Sequence, residues 1–429
     1  MKKLPFVRLL ALSALGFALT MLSNTLEPAV IGHKVIELVP DGRNTALGFT
    51  TFAGLVVAIV VQPIVGVLSD RTHSRWGRRL PYFAIGSVMV IGCLLLIALT
   101  PDFSVLVVGM LLIQLASNTI QGPWQALIPD QVPETQRGQA SSIKATYDIL
   151  ALITGRLIAG QLVGQFPIWG EAAILAAIAV PSALFIIALL ITAATAHDDK
   201  VVTAPAPEQT IRQALAHSFS VDFRAHPAFG WWFANRLLFW AAFIALNTFL
   251  LFFAIDVIGM KQDDAQRYIG QLSTALGAAL VIVSIPAGWV SDRIGRKPVI
   301  IASGLVSTAG TLIILAAHDL TYITIAAVII GIGIGMFLAA NWALITDIVP
   351  RNEAARYLGI ANIATAGGSA IARLLGGVMI DPLNRWLGAG TGYITLYGIA
   401  ALFFLVSAIV VIPLPTHKPQ SMPSASPNP

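Results

Sequence analysis

Long apolar runs, separated by short polar segments, make up most of the chain. A transmembrane helix needs about 20 predominantly apolar residues. The pattern therefore predicts twelve spans, numbered here in chain order, at residues 8–32, 44–69, 80–100, 104–128, 140–165, 172–195, 230–256, 266–290, 298–317, 321–346, 357–380 and 391–413.

One longer polar segment divides these spans into two groups of six. It covers residues 196–229 and contains charged residues and prolines, so we predict a linker there. The linker joins an N-terminal six-helix half, 1–195, to a C-terminal six-helix half, 230–413. The remaining residues, 414–429, are rich in Pro and Ser and predict a disordered tail.

Composition excludes the water-soluble classes of protein. Apolar residues make up 56% of the chain and charged residues 11%. In a soluble domain about 45–50% of residues are apolar and about 25% are charged. So few charged side chains cannot cover a water-facing surface. The single cysteine, Cys93, can form neither an intrachain disulfide nor a metal cluster. We predict no metal site, because no His/Cys/acid cluster with ligand spacing is present.

The basic residues favour one side of the membrane. With a cytoplasmic N-terminus, 18 of the 26 Lys and Arg residues lie in cytoplasmic segments and 5 in outer loops. Cytoplasmic loops are enriched in Lys and Arg, so we expect a multi-pass protein of the cell inner membrane with both termini cytoplasmic. The net charge of +5 then reflects topology, and no nucleic-acid partner is expected.

The two halves share short sequences at a nearly constant offset. Residues 126–133, ALIPDQVP, match residues 343–350, ALITDIVP, at six of eight positions. The same offset of 217 residues relates Arg156 to Arg373. Because six is an even number of spans, two copies of such a unit have the same orientation in the membrane. The repeat therefore predicts two parallel halves.

A second repeated motif follows spans 2 and 8. The first copy begins at Gly66 and reads GVLSDRTHSRWGRR, and the second begins at Gly288 and reads GWVSDRIGRK. Both resemble the G-x-[LVA]-[SA]-D-R-x-G-R-[RK] signature of the major facilitator superfamily. The longer first copy is similar to that of the glycoside–pentoside–hexuronide and sucrose-type symporters. One departure is that residues 44–69 contain no acid, so the sodium site that melibiose-type relatives have in span 2 is not expected.

The resemblance implies an all-α membrane protein with twelve transmembrane helices in two parallel six-helix halves, the major facilitator fold. It also implies alternating access, so we expect a secondary active transporter that takes up a small polar solute, such as a sugar or glycoside, with a proton. The expected partners are that solute and the lipid bilayer. We expect a monomer without a cofactor, the proton or another cation being the coupling ion.

Two alternatives remain open at this stage. A transporter with these features could instead export a metabolite or drug by proton antiport. A non-transporting membrane receptor or a membrane enzyme is the alternative from a different class. The sequence shows no nucleophile–base constellation for an enzyme and no large extramembrane domain for a receptor.

The repeated motif is expected to form a cytoplasmic gate. Aspartate at a helix end pairs with arginine or caps a neighbouring helix, glycine allows close helix contact, and the basic residues contact anionic headgroups. The predicted gate residues are Gly66, Asp70, Arg71, Arg75, Gly77, Arg78, Arg79, Asp130, Arg137, Gly288, Asp292, Arg293, Gly295, Arg296, Asp347 and Arg356.

A few ionisable residues lie inside the predicted spans. Each raises the free energy of membrane insertion by at least ~2.5–3.5 kcal/mol unless it has a partner or faces a water-filled cavity. The helical rise places Glu27 and Arg156 at similar depth in one half, so we predict that they form a pair. Either a transported proton breaks this pair or the pair only fixes helix packing. Asp148 is a third candidate for coupling, although it also suits an i,i+4 pair with Lys144.

Polar and aromatic residues inside the spans are candidates for solute binding. Asn118, Gln121 and Gln125 share one face of span 4. Facilitator-fold transporters line their cavity with spans 1, 4, 7 and 10, and amides and indole rings suit sugars as well as many other metabolites. The predicted substrate residues are Asn24, Asn118, Gln121, Gln125, Arg236, Trp240, Asn247, Asn341 and Arg373.

Overall fold

The computed structural model describes residues 3–72, 74–195, 223, 226–317, 319–348 and 354–414. Most of the predicted linker, 196–229, and nearly all of the predicted tail, 414–429, lie outside these residues. Every regular element within them is helical. The first nine α-helices are α1 Phe6–Thr25, α2 Gly32–Leu38, α3 Arg43–Arg71, α4 Leu80–Leu99, α5 Phe103–Gln125, α6 Leu127–Gln131, α7 Glu134–Val163, α8 Phe166–Trp169 and α9 Glu171–Thr195.

Six longer helices follow in the second part of the described chain. They are α10 Pro227–Asp256, α11 Gln262–Ile294, α12 Arg296–Leu315, α13 Leu320–Ile348, α14 Ala354–Leu387 and α15 Thr391–Val410. Several start or end where the sequence signals a break. Asp102, for example, caps α5 by accepting bonds from the backbone N–H groups of Ser104 and Val105.

The first span is interrupted by a π-helical turn. Residues Leu26–Ile31 form this turn between α1 and α2, and the three segments together make one helical stretch from Phe6 to Leu38. Pro28, which lacks a backbone N–H, lies within it. A π-turn changes the direction in which later side chains point, and such turns often occur at functional sites. Glu27 lies in this turn.

Eleven helical segments of the described residues are long and apolar enough to cross a membrane. The prediction of an all-α membrane protein is therefore confirmed, whereas the count of twelve spans is not. The segment predicted as span 5 corresponds to α7, which is not one of the eleven. This helix carries Arg137, Lys144, Asp148 and Arg156 along its length.

The described residues divide into two compact units. Unit 1 takes those within Met1–Ser220, Ile244–Gly277 and Ser369–Leu396, and unit 2 takes those within Val221–Phe243, Ala278–Gly368 and Tyr397–Pro429. The unit boundaries fall inside α10, α11, α14 and α15. The two six-helix halves remain a prediction.

Close backbone contacts at glycine hold unit 1 together. A Cβ added to Gly48 on α3 would lie 2.5 Å from the Cα of Gly377 on α14. Likewise, a Cβ added to Gly160 on α7 would lie 3.1 Å from the Cα of Gly270 on α11. Small residues allow helices to approach this closely in membranes, where van der Waals contact drives association.

Unit 2 has an aromatic core. The rings of Phe239 on α10 and Phe337 on α13 are stacked with centroids 3.7 Å apart, and Phe404 on α15 contacts Phe239 edge-on. All three side chains are fully buried. This packing fixes the positions of α10 and α13, which carry the polar cluster described below.

Candidate functional site

A buried arginine organises one end of unit 1, where α3 finishes; we call it the Asp70 end. Arg79 Nε lies 2.9 Å from Asp130 Oδ2, and Arg79 Nη2 lies 3.2 Å from Asp70 Oδ1. Arg79 also donates to the carbonyl of Pro123 at 3.2 Å, and Arg78 Nη2 donates to Asp130 Oδ2 at 3.1 Å. The cluster therefore links the ends of α3, α4 and α5.

Unit 2 contains the same arrangement, built from the second copy of the motif. Arg296 pairs with Asp292, and its Nε lies 3.6 Å from Asp347 Oδ2. The offset of 217 residues maps Arg79 onto Arg296 and Asp130 onto Asp347. The sequence repeat is thus also a repeat of ion-pair geometry, with one cluster in each unit.

The glycines of this motif divide into two kinds. Gly77 and Gly295 have φ values of 88° and 97°, a left-handed conformation that only glycine adopts easily. They form the bend that brings the following arginine back to the aspartates. A Cβ at Gly66 or Gly288 would meet nothing within 4 Å, but the backbone N of Gly66 lies 3.5 Å from the position of a Cβ added to Gly122 on α5. The backbone of α3 at Gly66 is therefore close to α5, whereas Gly288 shows no such contact among the described residues.

Other predicted gate residues lie around the two clusters. Arg75 is exposed and its guanidinium lies 5.5 Å from the ring of Trp76. Arg137 and Arg293 are exposed, whereas Arg71 is half-buried. Arg356 lies in α14, but its side chain is outside the described part of the structure.

We expect Arg79→Gln to destabilise the protein, because it removes the buried side chain that links Asp130, Asp70 and the carbonyl of Pro123. Asp70 and Asp130 are partly exposed and Asp130 keeps its bond to Arg78, so we expect a cost of about 1–3 kcal/mol, which corresponds to a fall in Tm of about 2–8 °C for a chain of this size. Thermal unfolding of the purified protein in detergent measures the effect. Arg75→Gln, the same change at an exposed arginine of the same loop, is the control. Equal melting temperatures for the two variants would contradict this prediction.

Glu27 forms an ion pair inside unit 1 with an arginine from the second half of the chain. Arg373 Nη2 on α14 lies 2.7 Å from Glu27 Oε2. Gln114 Nε2 on α5 lies 3.4 Å from the other carboxylate oxygen. The predicted pair of Glu27 with Arg156 is therefore wrong. Helical rise predicts how deep each residue lies in its span but not the direction of its side chain. The π-turn and the packing of α14 direct Glu27 to Arg373.

Arg156 instead lies between two asparagines. Its Nε is 3.3 Å from Asn24 Oδ1 on α1, and its Nη2 is 2.5 Å from Asn247 Oδ1 on α10. Asn24 and Asn247 are themselves related by an offset of 223 residues. Two contacts in the middle of the spans, Arg156–Asn247 and Arg373–Glu27, thus link the first copy of the repeat to the second within unit 1.

A polar pocket of about 260 Å³ opens between α1, α5 and α7. Asp148 accepts hydrogen bonds from Lys144 Nζ at 2.8 Å and from Thr20 Oγ1 at 3.2 Å. Lys144 Nζ also lies 5.5 Å from the ring of Trp124. The i,i+4 pair considered for Asp148 is formed. The complete lining is Gly16, Leu19, Thr20, Ser23, Ser117, Gln121, Trp124, Lys144 and Asp148.

A second, smaller cavity of about 20 Å³ adjoins this pocket. Leu19, Ser23 and Ser117 line both cavities, and the smaller one also contacts Glu27 and Gln114. A volume of this size holds about one water molecule, and polar partners for it are present. The Glu27 carboxylate therefore lies next to the polar pocket, with room for a water between them.

Unit 2 has its own polar cluster around Arg236 on α10. Arg236 Nη1 lies 2.8 Å from Asn341 Oδ1, and Nε lies 2.9 Å from Thr365 Oγ1. The guanidinium carbon is 5.0 Å from the ring of Trp342 and 5.5 Å from that of Trp232. Two predicted substrate residues, Arg236 and Asn341, are thus brought together.

The other predicted substrate residues have different places. Asn118 is buried and donates to the carbonyl of Gln114 at 2.8 Å. Gln125 is exposed and accepts a bond from Gln62 at 3.1 Å. The indole nitrogen of Trp240 is buried and has no hydrogen-bond partner among the described residues.

Sequence reasoning missed a network at the opposite end of unit 1, where α3 begins; we call it the Arg43 end. Arg43 pairs with Asp256 of α10, and the hydroxyl of Tyr393 on α15 lies 2.6 Å from Asp256 Oδ2. Asn44 Nδ2 lies 2.8 Å from Asp381 Oδ1 on α14. These residues are far apart in the sequence and have no common motif, so only their position at the span ends hinted at the network.

Comparisons with known proteins agree with these features. Residues 42–412 match the family model described as "MFS/sugar transport protein". A sucrose transport protein of Arabidopsis thaliana is 30% identical over 129 residues, 25% of this chain and 22% of that protein. The minor myo-inositol transporter of Bacillus subtilis is 32% identical over 118 residues, 27% of this chain and 26% of that protein. The match spans about a quarter of the length of these relatives.

Solved structures show the same fold at low identity. A D-xylose–proton symporter has a TM-score of 0.67 at 16% identity and covers 95% of this chain and 97% of its own. A peptide transporter in complex with sulfate has a TM-score of 0.69 at 14% identity, with 96% of both chains covered.

The family match over most of the chain confirms the resemblance that the motifs indicated. It also confirms the expectation that the chain is not an enzyme, because the family is one of transport proteins. The apolar helices make it a multi-pass membrane protein. The chain therefore belongs to the sugar transport family of the major facilitator superfamily.

Proposed function

We propose that this protein is a secondary active transporter that takes up a small polar solute, such as a sugar or glycoside, together with a proton. The observation that carries this proposal is the polar pocket of about 260 Å³ in unit 1. Its lining combines the Gln121 amide, the Asp148 carboxylate and the Thr20 hydroxyl with the Trp124 indole. Hydroxyl groups of a solute bind to the amide, the carboxylate and the hydroxyl, and the C–H face of a sugar ring packs on the indole.

The coupling ion in this proposal is a proton carried by Glu27, with no other cofactor. Glu27 contacts the cavity beside the pocket, so a proton can reach it through water. Protonation removes the negative charge that holds Arg373 and therefore weakens a contact between the two copies of the repeat. Arg156, the other guanidinium near Glu27, keeps its bonds to Asn24 and Asn247.

Alternating access in this proposal means that the halves 1–195 and 230–413 rock about the solute site. The protein lies in the cell inner membrane as a monomer with both termini cytoplasmic and binds no nucleic acid. The Asp70 end then faces the cytoplasm, and the Arg43 end faces outward. Outward opening requires that the Arg43–Asp256 and Asn44–Asp381 contacts break.

Reconstitution of the full chain into liposomes tests the proposal. We expect an imposed inward proton gradient to drive accumulation of at least one neutral sugar or polyol, and addition of that solute to acidify the lumen. Gln121→Ala should raise KM about 3–10-fold, because one hydrogen bond to the solute is lost. Gln139→Ala, at an exposed position on α7, is the control and should match the unchanged protein.

Two outcomes would contradict the proposal. Proton movement against the direction of the solute would identify an antiport exporter of a metabolite or drug instead. No flux with any solute, combined with turnover of a lipid, would indicate a membrane enzyme.

A further inference from the structure

Three arginines of the described chain are less than a tenth exposed, and one of them differs from the others. Arg79 and Arg373 pair with carboxylates. Arg236, which is 7% exposed, has no carboxylate within ion-pair distance among the described residues. Burying a charge costs several kcal/mol unless an opposite charge compensates for it. The surroundings of Arg236 therefore need an explanation.

The groups that contact Arg236 in unit 2 are neutral. Thr365 and Asn341 accept two of its N–H groups, whereas a guanidinium has five donors. Asn341 is itself held in one orientation, because its amide donates to Asn235 Oδ1 at 2.9 Å. The three remaining N–H groups of Arg236 have no acceptor within the part of the chain that the structure describes. The side chain is thus fixed in place, and three of its N–H groups are available to bind a ligand.

Two tryptophan rings lie next to the guanidinium and lower its desolvation cost. Their centroids are 5.0 Å away for Trp342 and 5.5 Å away for Trp232, a distance at which cation–π attraction operates. Trp232 is fully buried, whereas Trp342 is 40% exposed. The exposed part of the cluster is therefore on the side of Trp342, and its positive charge is only partly compensated.

We propose that Arg236 is the binding site for the carboxylate of an anionic, hydroxylated solute. This inference rests on the proposed transport function and narrows its substrate class. The planar guanidinium presents parallel N–H groups that match the two oxygens of a carboxylate. The ligand brings the counter-ion that unit 2 lacks at this point, and Asn341 and Thr365 hold the donors in the orientation needed to receive it.

Binding measurements on the purified full chain test this inference. The probes are two pairs of compounds in which a terminal CH₂OH is replaced by a carboxylate: sorbitol with D-gluconate, and glycerol with D-glycerate. Tryptophan fluorescence is a suitable signal, because Trp342 and Trp232 lie beside Arg236. The variants are Arg236→Gln, Arg236→Lys and, as a control, Arg385→Gln at an exposed arginine of α14.

We expect the unchanged protein to bind the carboxylate of at least one pair about tenfold or more tighter than its neutral partner, the strength of charged hydrogen bonds. Arg236→Gln should bring this ratio close to one. Arg236→Lys, which keeps the charge but loses the planar fork, should give an intermediate ratio. Arg385→Gln should keep the full ratio. Melting temperatures of all variants establish that they are folded.

Three results would overturn the inference. In the first, the unchanged protein shows a ratio near one for both pairs. In the second, Arg236→Gln weakens both members of a pair equally, as expected for a packing role. In the third, sodium chloride displaces the carboxylates completely and binds more tightly than they do, which indicates an inorganic anion site.

Uptake into liposomes separates this inference from the proposed function. If neutral solutes are taken up with protons and the carboxylate and its neutral partner bind equally well, the transport proposal holds and the anionic substrate is excluded. If gluconate binding depends on Arg236 but no solute is taken up, Arg236 is a carboxylate site and the transport proposal fails.

Discussion

The Glu27→Gln variant is expected to lose proton-driven accumulation of solute while it still exchanges solute across the membrane. Glutamine keeps the size and hydrogen-bonding capacity of Glu27 but cannot carry a proton or the charge that holds Arg373. Uptake into liposomes with and without a pH gradient measures the loss, and exchange of labelled for unlabelled solute shows whether binding and movement persist.

The double variant Glu27→Gln/Arg373→Gln separates coupling from packing. Glu27→Gln alone leaves a buried arginine without its counter-ion, which costs up to about 3–5 kcal/mol. Removing both charges avoids that cost, so the double variant should regain the thermal stability of the unchanged protein. If it also regains uptake that responds to the pH gradient, Glu27 has only a packing role and the coupling proposal fails.

The Gly48→Ala variant is expected to open the Arg43 end of unit 1. An added Cβ would lie 2.5 Å from the Cα of Gly377 and 2.7 Å from the carbonyl oxygen of Arg373. Both are backbone atoms, so no side chain can turn aside to make room. Overpacking of this kind costs about 1–3 kcal/mol, enough to shift a two-state equilibrium about tenfold or more. The contact with α14 also helps to position Arg373 against Glu27.

Maleimide labelling of an introduced thiol measures this shift. Ala46, which is buried near Gly48 on α3, is replaced by Ala46→Cys in a Cys93→Ser background. We expect labelling to be about tenfold faster when Gly48→Ala is added. Gly66→Ala is the matched control, because the same change on the same helix adds a Cβ with nothing within 4 Å. Equal labelling rates with Gly48→Ala and Gly66→Ala would contradict the prediction.

Local patterns in the sequence correctly predicted an all-helical membrane protein. Apolar runs of sufficient length indicate spanning helices whatever their neighbours are, because lipid cannot satisfy backbone hydrogen bonds. The i,i+4 spacing of Lys144 and Asp148 predicted their contact for the same local reason. The motif that occurs after spans 2 and 8 also indicated both Arg79 and Arg296 as gate residues.

The π-turn explains the main error. The regular helical rise placed Glu27 and Arg156 at similar depth, but it does not specify which way each side chain points around its helix. The π-helical turn at Leu26–Ile31 alters that direction for Glu27. Its partner, Arg373, is 346 residues away in the sequence, and no pattern along one helix encodes a contact at that separation.

The sequence by itself determined the membrane class, the helical fold and the motif that occurs twice, whose first copy lies at the Asp70 end. Each of these depends on residues that are close together in the chain or repeated at a constant offset. Only the tertiary structure decided that Glu27 meets Arg373, that Arg156 lies between two asparagines, and that Arg236 has neutral neighbours. These contacts depend on the rotation and packing of whole helices, and backbone contact at residues such as Gly48 sets that packing.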